Sequence, residues 1–252
     1  MTLLPSSSNT RPSDTLIKVV MAGKGQTVAT RYMIDRVIQL SGKERPHIAY
    51  FGTPCKDREA QYKKIAIPYE ESGCHITKVD VWNRDPTADT NCIDFVAGIL
   101  HRADVILISG GLRTVAMKKW KQLGIDQLFL DTAYRPNPPV FVGGSAGALC
   151  LANTGLGLVK MAVVPHYDTL ATHKTIRQPQ SIFDQDQHTP CIGIEDNAAW
   201  LIHGYETIAL SNDGIAKCYR IYCQGGRIEA SCLPLDATIP LASLGISFGL
   251  SS

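Results

Sequence analysis

The chain reads as an α/β protein, a mostly parallel sheet with helices on both faces and a β-rich C-terminal extension. Two observations predict this. Between Leu16 and Leu151, short β-branched and aromatic runs alternate with longer stretches of helical period. Beyond Leu151 the apolar runs shorten and are separated by turn signals such as Asn212-Asp213-Gly214 and Gly225-Gly226. In such a fold ligands bind beyond the carboxyl ends of the parallel strands.

Leu16 to Met21 is a strand-like run closed by Ala22-Gly23-Lys24-Gly25, and Thr27 to Leu40 carries apolar residues at helical spacing up to a stop at Gly42. His47 to Phe51 is a second strand, followed by Gly52-Thr53-Pro54 and a charged helix that reaches Ser72 and ends at Gly73. His75 to Trp82 is a third strand, and past Asp85-Pro86 a helix runs from Cys92 to His101. Asp104 to Ser109 is the fourth strand, closed by Gly110-Gly111; the helix after it, from Val115 towards Leu130, is broken at Gly124. Val140-Phe141-Val142 supplies the fifth. Gly157 to Val164, Thr189 to Ile194, Ala199 to His203, Thr207 to Ser211 and Ala216 to Cys223 are shorter strands, expected to extend the same sheet. The polar stretch Met1 to Asp14 reads as a disordered leader without the apolar segment of a secretory signal. Residues 15–228 read as a single α/β domain, and residues 229–252 as a tail whose weak periodicity leaves its order open.

Composition narrows the classes of function. A formal net charge of +2 without a cluster of Lys and Arg argues against a nucleic-acid partner, and no apolar run is long enough to span a bilayer. The eight cysteines are scattered with no Cys-x-x-Cys pair, which argues against a disulfide framework or a zinc site and favours reduced thiols in a cytoplasmic protein. Cys55 reads as an inert thiol. Gly23 and Gly25 lack the third glycine of a dinucleotide fingerprint and no Walker lysine motif follows, so neither cofactor nor metal is expected.

The chemistry concentrates at Gly143-Gly144-Ser145-Ala146-Gly147, where a buried strand turns into a helix. The outer glycines permit a sharp turn and close packing, which pushes the serine outward as a nucleophile elbow; the amide of Ala146, at the helix start, faces the place where an oxyanion would form. A serine hydroxyl needs an imidazole base, and seven histidines compete. His47 and His75 fall at strand starts, His101 at a helix end and His203 in a late strand, while His173 and His188 lie in a polar stretch. His166 differs, because it ends the run Val163-Val164-Pro165 and so stands at a strand end. For the acid that orients it, Glu195 and Asp196 lie between two apolar segments; neighbours in a strand face opposite ways, so only one of them meets His166. Asp168 is a local rival that needs a tight turn.

In order and spacing, Gly110-Gly111, Gly144-Ser145-Ala146-Gly147-Ala148, Val164-Pro165-His166-Tyr167 and Gly193-Ile194-Glu195-Asp196-Asn197-Ala198-Ala199 resemble the serine peptidases of the dipeptidase E and cyanophycinase family. The resemblance spans Leu16 to Gln224. It implies a flavodoxin-like fold related to class I glutamine amidotransferases, whose elbow carries cysteine where this chain has Ser145. It also implies Ser145 as nucleophile, His166 as general base and later acid, and the amides of Gly111 and Ala146 as oxyanion hole. The cyanophycinase-like pattern points to Asp196 as the third member, with Glu195 next. In dipeptidase E the proposed acid lies between serine and histidine, but Leu149 to Pro165 holds no Asp or Glu, so that assignment does not transfer. Family members often have Gly-Gly-Asn-Thr where this chain has Gly110-Gly111-Leu112-Arg113-Thr114; Arg113 adds a cation that either binds a substrate carboxylate or solvates a helix start. Arg177 lies near the place where the dipeptidases keep an arginine for the substrate aspartate.

The function this implies is hydrolysis of small peptides, dipeptides with N-terminal Asp foremost, through an acyl-enzyme on Ser145. An esterase or amidase with another small substrate, and a non-catalytic ligand-binding relative, are the alternatives. The expected partner is a small peptide, and a homodimer is left open.

Overall fold

The ends of the first and fifth strands lie side by side in the main sheet, and that adjacency builds the site. The computed structural model describes residues 16–85, 92–168 and 177–248, so the expected leader, Met1 to Asp14, lies outside the described residues. Strands β1 (Lys18–Ala22), β2 (His47–Phe51), β3 (His75–Lys78), β4 (Val105–Ile108) and β5 (Val140–Gly144) run parallel in the order β1-β5-β4-β2-β3. The next strands in the chain are β6 (Val159–Lys160), β7 (Ala162–Pro165), β8 (Cys191–Ile194), β9 (Ala198–His203) and β10 (Glu206–Ser211). They are followed by β11 (Cys218–Gln224), β12 (Arg227–Cys232), β13 (Thr238–Pro240) and β14 (Ser247–Phe248).

The β-rich part does not all extend one sheet. β9, β10 and β13 add antiparallel to the free edge of β1, giving the eight-stranded order β13-β10-β9-β1-β5-β4-β2-β3. A second sheet has the order β12-β11-β8-β7, and β6 pairs with β14. The segment after residue 228 thus contributes strands to all three sheets.

Helices cover both faces of the parallel strands. They are α1 (Arg31–Ser41), α2 (Glu59–Ile65), α3 (Ile67–Glu71), α4 (Cys92–Arg102), α5 (Arg113–Leu123), α6 (Ile125–Ala133) and α7 (Ala146–Leu151), whereas α8 (Arg177–Gln185) sets Phe183 against Val164, Cys191 and Ile221 of the second sheet. Alternate residues of β1 serve the two faces. Val20 and Ala22 pack with Met33, Ile34 and Val37 of α1 and Tyr69 of α3, whereas Val19 and Met21 belong to the cluster of Leu100, Trp120, Phe129 and Leu151 on α4 to α7. Burial on both sides is why β4 reads as an unbroken apolar run. No described helix is long and apolar enough to cross a membrane. None of the eight cysteines forms a disulfide, and burial pushes the thiols of Cys150 and Cys191 up to about 12.

Of the boundaries that differ from the sequence expectation, three have a visible structural reason. The helix expected from Thr27 begins instead as a 3-10 turn, Gly25–Ala29, with Thr30 extended before α1; the hydroxyls of Thr27 and Thr30 are drawn to the carbonyl of Asp196 and to Oδ1 of Asn212. The charged helix up to Ser72 divides into α2 and α3 at Pro68, whose nitrogen has no hydrogen to donate. β3 stops at Lys78, because the amides of Val81 and Trp82 turn to Oδ2 of Asp57, each at 2.7 Å.

The core centre is aromatic. Phe129 meets Phe51 and Trp120 edge-on at centroid distances of 4.8 and 5.0 Å, and Phe141 at 6.4 Å. Phe129→Ala is therefore expected to lower unfolding free energy by about 3–5 kcal/mol in urea denaturation. A loss below about 1 kcal/mol would mean that this cluster is not what ties α6 to the sheet.

Candidate active site

β5 delivers Ser145 to the cleft through a strained turn. Ser145 has φ 55° and ψ −118°, a conformation that glycine adopts more readily, and α7 starts at the next residue. A Cβ on Gly143 would lie 2.4 Å from the carbonyl carbon of Gly147, and one on Gly147 would lie 2.5 Å from the carbonyl oxygen of Ile108. These contacts explain the glycine spacing, since only hydrogen fits between β4, β5 and α7. The amide of Ser145 donates to the carbonyl of Ala22 at 3.0 Å, which ties the elbow to β1.

His166 arrives from the second sheet. It follows β7 directly and takes a left-handed conformation, φ 57°, so its ring turns back over the end of β5. Nε2 lies 2.8 Å from Oγ of Ser145, and Nδ1 lies 2.5 Å from Oδ1 of Asp196. An ionised carboxylate only accepts, so in this arrangement Nδ1 carries the proton and Nε2 accepts from the serine hydroxyl.

Asp196 is fixed from every side. Its amide donates to Oδ1 of Asp168 at 3.1 Å, its carbonyl accepts from the Thr27 hydroxyl, and its Oδ2 lies 3.5 Å from Nζ of Lys24. Glu195 points elsewhere: Oε2 accepts from the amide of Lys217 at 2.7 Å and Oε1 from the Tyr219 hydroxyl at 2.9 Å. Both carboxylates lie in the turn between β8 and β9, outside the strands, so the turn rather than strand alternation sends them apart. Burial first, and then the Glu195 carboxylate, push the Tyr219 phenol well above its usual range. Asp168, the local rival, holds the backbone of Asp196.

Two cavities meet at this point. One, of about 370 Å³, is lined by Lys24, Arg58, Gln61 and Gly110 together with Gly111, Ser145 and His166. The other, of about 320 Å³, is lined by Leu112, Arg113, Leu149 and Pro165 and shares Gly111, Ser145 and His166, with Ala146 on its wall. Arg113 opens α5, and its Nη1 donates to the carbonyl of Thr154. The backbone of Arg177 opens α8, and its side chain lies outside the described residues, as does His173.

Serine, imidazole and carboxylate in one hydrogen-bonded file, at the carboxyl end of a parallel sheet, have the geometry of a Ser-His-acid triad. The chain belongs to peptidase family S51, whose family model matches residues 19–210. Its fold is also that of a crystallised peptidase from an acI-B1 Actinobacterium, with a TM-score of 0.66 at 16% identity over 90% of this chain and 98% of that one. A protein of Listeria monocytogenes EGD-e described as a peptidase E is similar too, with a TM-score of 0.60 at 16% identity over 78% of this chain and 98% of that one. No curated protein matches the chain. The fold class read from the sequence, a mostly parallel α/β sheet with a β-rich extension, and the family resemblance both hold.

Lys24, Thr27 and Arg58 went unmarked in the sequence, although Lys24 and Thr27 stand just past β1, at the carboxyl edge where ligands gather. Gly23, next to them, passes so near the Glu195–Asp196 turn that a Cβ there would lie 2.1 Å from the carbonyl oxygen of Glu195. Gly23→Ala is therefore expected to cost about 1–3 kcal/mol or more and to move Asp196 away from His166. Thermal unfolding together with a crystal structure of the variant checks this. A variant with wild-type stability and an unmoved turn would contradict the tight fit.

Proposed function

We propose that this peptidase works by serine chemistry on short peptides, with dipeptides bearing an N-terminal aspartate as the first candidates. Ser145 attacks the scissile carbonyl while His166 Nε2 takes its proton, and Asp196 holds the imidazole in the tautomer with hydrogen on Nδ1. The negative charge that develops on the carbonyl oxygen is met by the amides of Gly111 and Ala146. His166 then gives its proton to the departing amine, and water repeats the sequence on the acyl-enzyme. The observation that carries this reading is the continuous file from Ser145 Oγ through His166 to Asp196, at 2.8 and 2.5 Å. Preference for an acidic residue is supported by the cleft walls, where Lys24, Arg58 and Arg113 are cations and no lining residue is Asp or Glu.

A dipeptide library with N-terminal Asp, β-Asp, Glu and neutral residues tests substrate and mechanism together. Ser145→Ala is expected to abolish turnover on every member, a loss of several orders of magnitude with the fold intact, because Oγ faces the cleft and fills no core space. Activity within tenfold of wild type would end the serine mechanism.

The two neighbouring carboxylates give a second test. Asp196→Asn is expected to lower kcat by about 10⁴ at near-normal stability, since an amide favours the wrong tautomer. Glu195→Gln keeps its turnover, because that side chain faces Lys217 and Tyr219. Steady-state kinetics of the two variants decide it, and the reverse pattern would assign the role to Glu195.

A further inference from the structure

The two arms of the cleft differ in chemistry. In the smaller arm the walls are apolar, made by Leu112, Leu149 and Pro165, and its one cation, Arg113, already spends an N–H on the carbonyl of Thr154. The larger arm is lined by Lys24, Gln26, Arg58 and Gln61, and Lys24 is engaged with Asp196 at 3.5 Å. Arg58 is left over. Among the described residues its guanidinium has no hydrogen bond and no ion pair, and the side-chain amides of Gln26 and Gln61 have none either.

The carboxylates beside Arg58 in the chain are spoken for. Oδ2 of Asp57 accepts two amides from Val81 and Trp82 and its Oδ1 is buried, while Glu59 pairs with Lys78 at 3.0 Å. No Asp or Glu lines the arm, so among the described lining residues, which include Ser145 and His166, no carboxylate neutralises the guanidinium. A guanidinium offers paired N–H groups in the fork geometry that a carboxylate accepts, and two glutamine amides beside it supply further donors.

We propose that Arg58 is a substrate-binding residue that takes a carboxylate of the peptide in the larger arm, leaving the apolar arm for a neutral side chain. Two parts of a short peptide carry that group, an acidic side chain and the free C-terminus. The inference rests on the peptidase reading for its ligand and assigns a residue to which neither the family motifs nor the elbow point.

Binding is measured by calorimetry on the Ser145→Ala protein with three peptides: Asp-Leu, Asn-Leu and Asp-Leu amide. Asp-Leu is expected to bind about tenfold or more tightly than one of the two neutralised peptides. Weaker Asn-Leu identifies the side chain as the group bound, and weaker Asp-Leu amide identifies the terminus. Adding Arg58→Met removes the difference, and Arg58→Lys, which keeps charge without the fork, retains part of it. The proposal is overturned by a difference that survives Arg58→Met, by one that Arg113→Met removes instead, or by no binding of any of the three. Residual hydrolysis by Ser145→Ala would count against the nucleophile and is read separately from these ratios.

Discussion

Everything at the site depends on β1 having one parallel and one antiparallel neighbour. Ala22, its last residue, is in register with Gly144 of β5 on one side and Ala199 of β9 on the other. Two backbone bonds beyond that point then fix the geometry: the amide of Ser145 donates to the carbonyl of Ala22, and that of Gly23 to the carbonyl of Ala198. A parallel strand brings its C-terminal end to this edge and an antiparallel strand brings its N-terminal end. The residue just after β5 and the turn just before β9 are therefore held a strand's width apart on either side of β1. Ser145 and Asp196 occupy those places.

The imidazole between them comes from another sheet, and its placement is again a matter of register. β7 pairs in parallel with β8, with Pro165 opposite Ile194, so the chain leaves both strands at the same level. One exit carries His166 and the other carries Glu195 and Asp196. The second sheet thus enters the cleft as a unit, with the histidine and its acid set by one strand pair. The main sheet receives that unit through β9 and supplies the serine.

This division explains what the sequence disclosed. Ser145 and His166 were legible because each ends an apolar run bounded by residues with strong backbone preferences, glycines for the one and Pro165 for the other. The choice of Asp196 over Glu195 followed from a family pattern. The physical grounds, Lys217 and Tyr219 holding Glu195, come from β11 and its approach and are invisible in a local window. The second sheet was missed for the same reason: β7 and β8 are short apolar runs like β9, and nothing in a run records which neighbour it will find. Lys24 and Arg58 belong to loops whose side chains take on meaning only once strand order puts those loops beside Ser145. β13 and β14 are too short for periodicity to register.

Both Ser145 and His166 have positive φ, 55° and 57°, and neither is glycine. Such conformations cost about 1–3 kcal/mol each, and the packing of two sheets pays that cost. On the mechanism proposed above, Ser145 is a place where selection for chemistry and selection for stability pull in opposite directions. On that mechanism a glycine there would relax the backbone while removing the nucleophile, so a lineage that lost the activity would drift towards a sturdier protein that expresses no worse. In such descendants, robustness would be a poor guide to whether the reaction is still carried out.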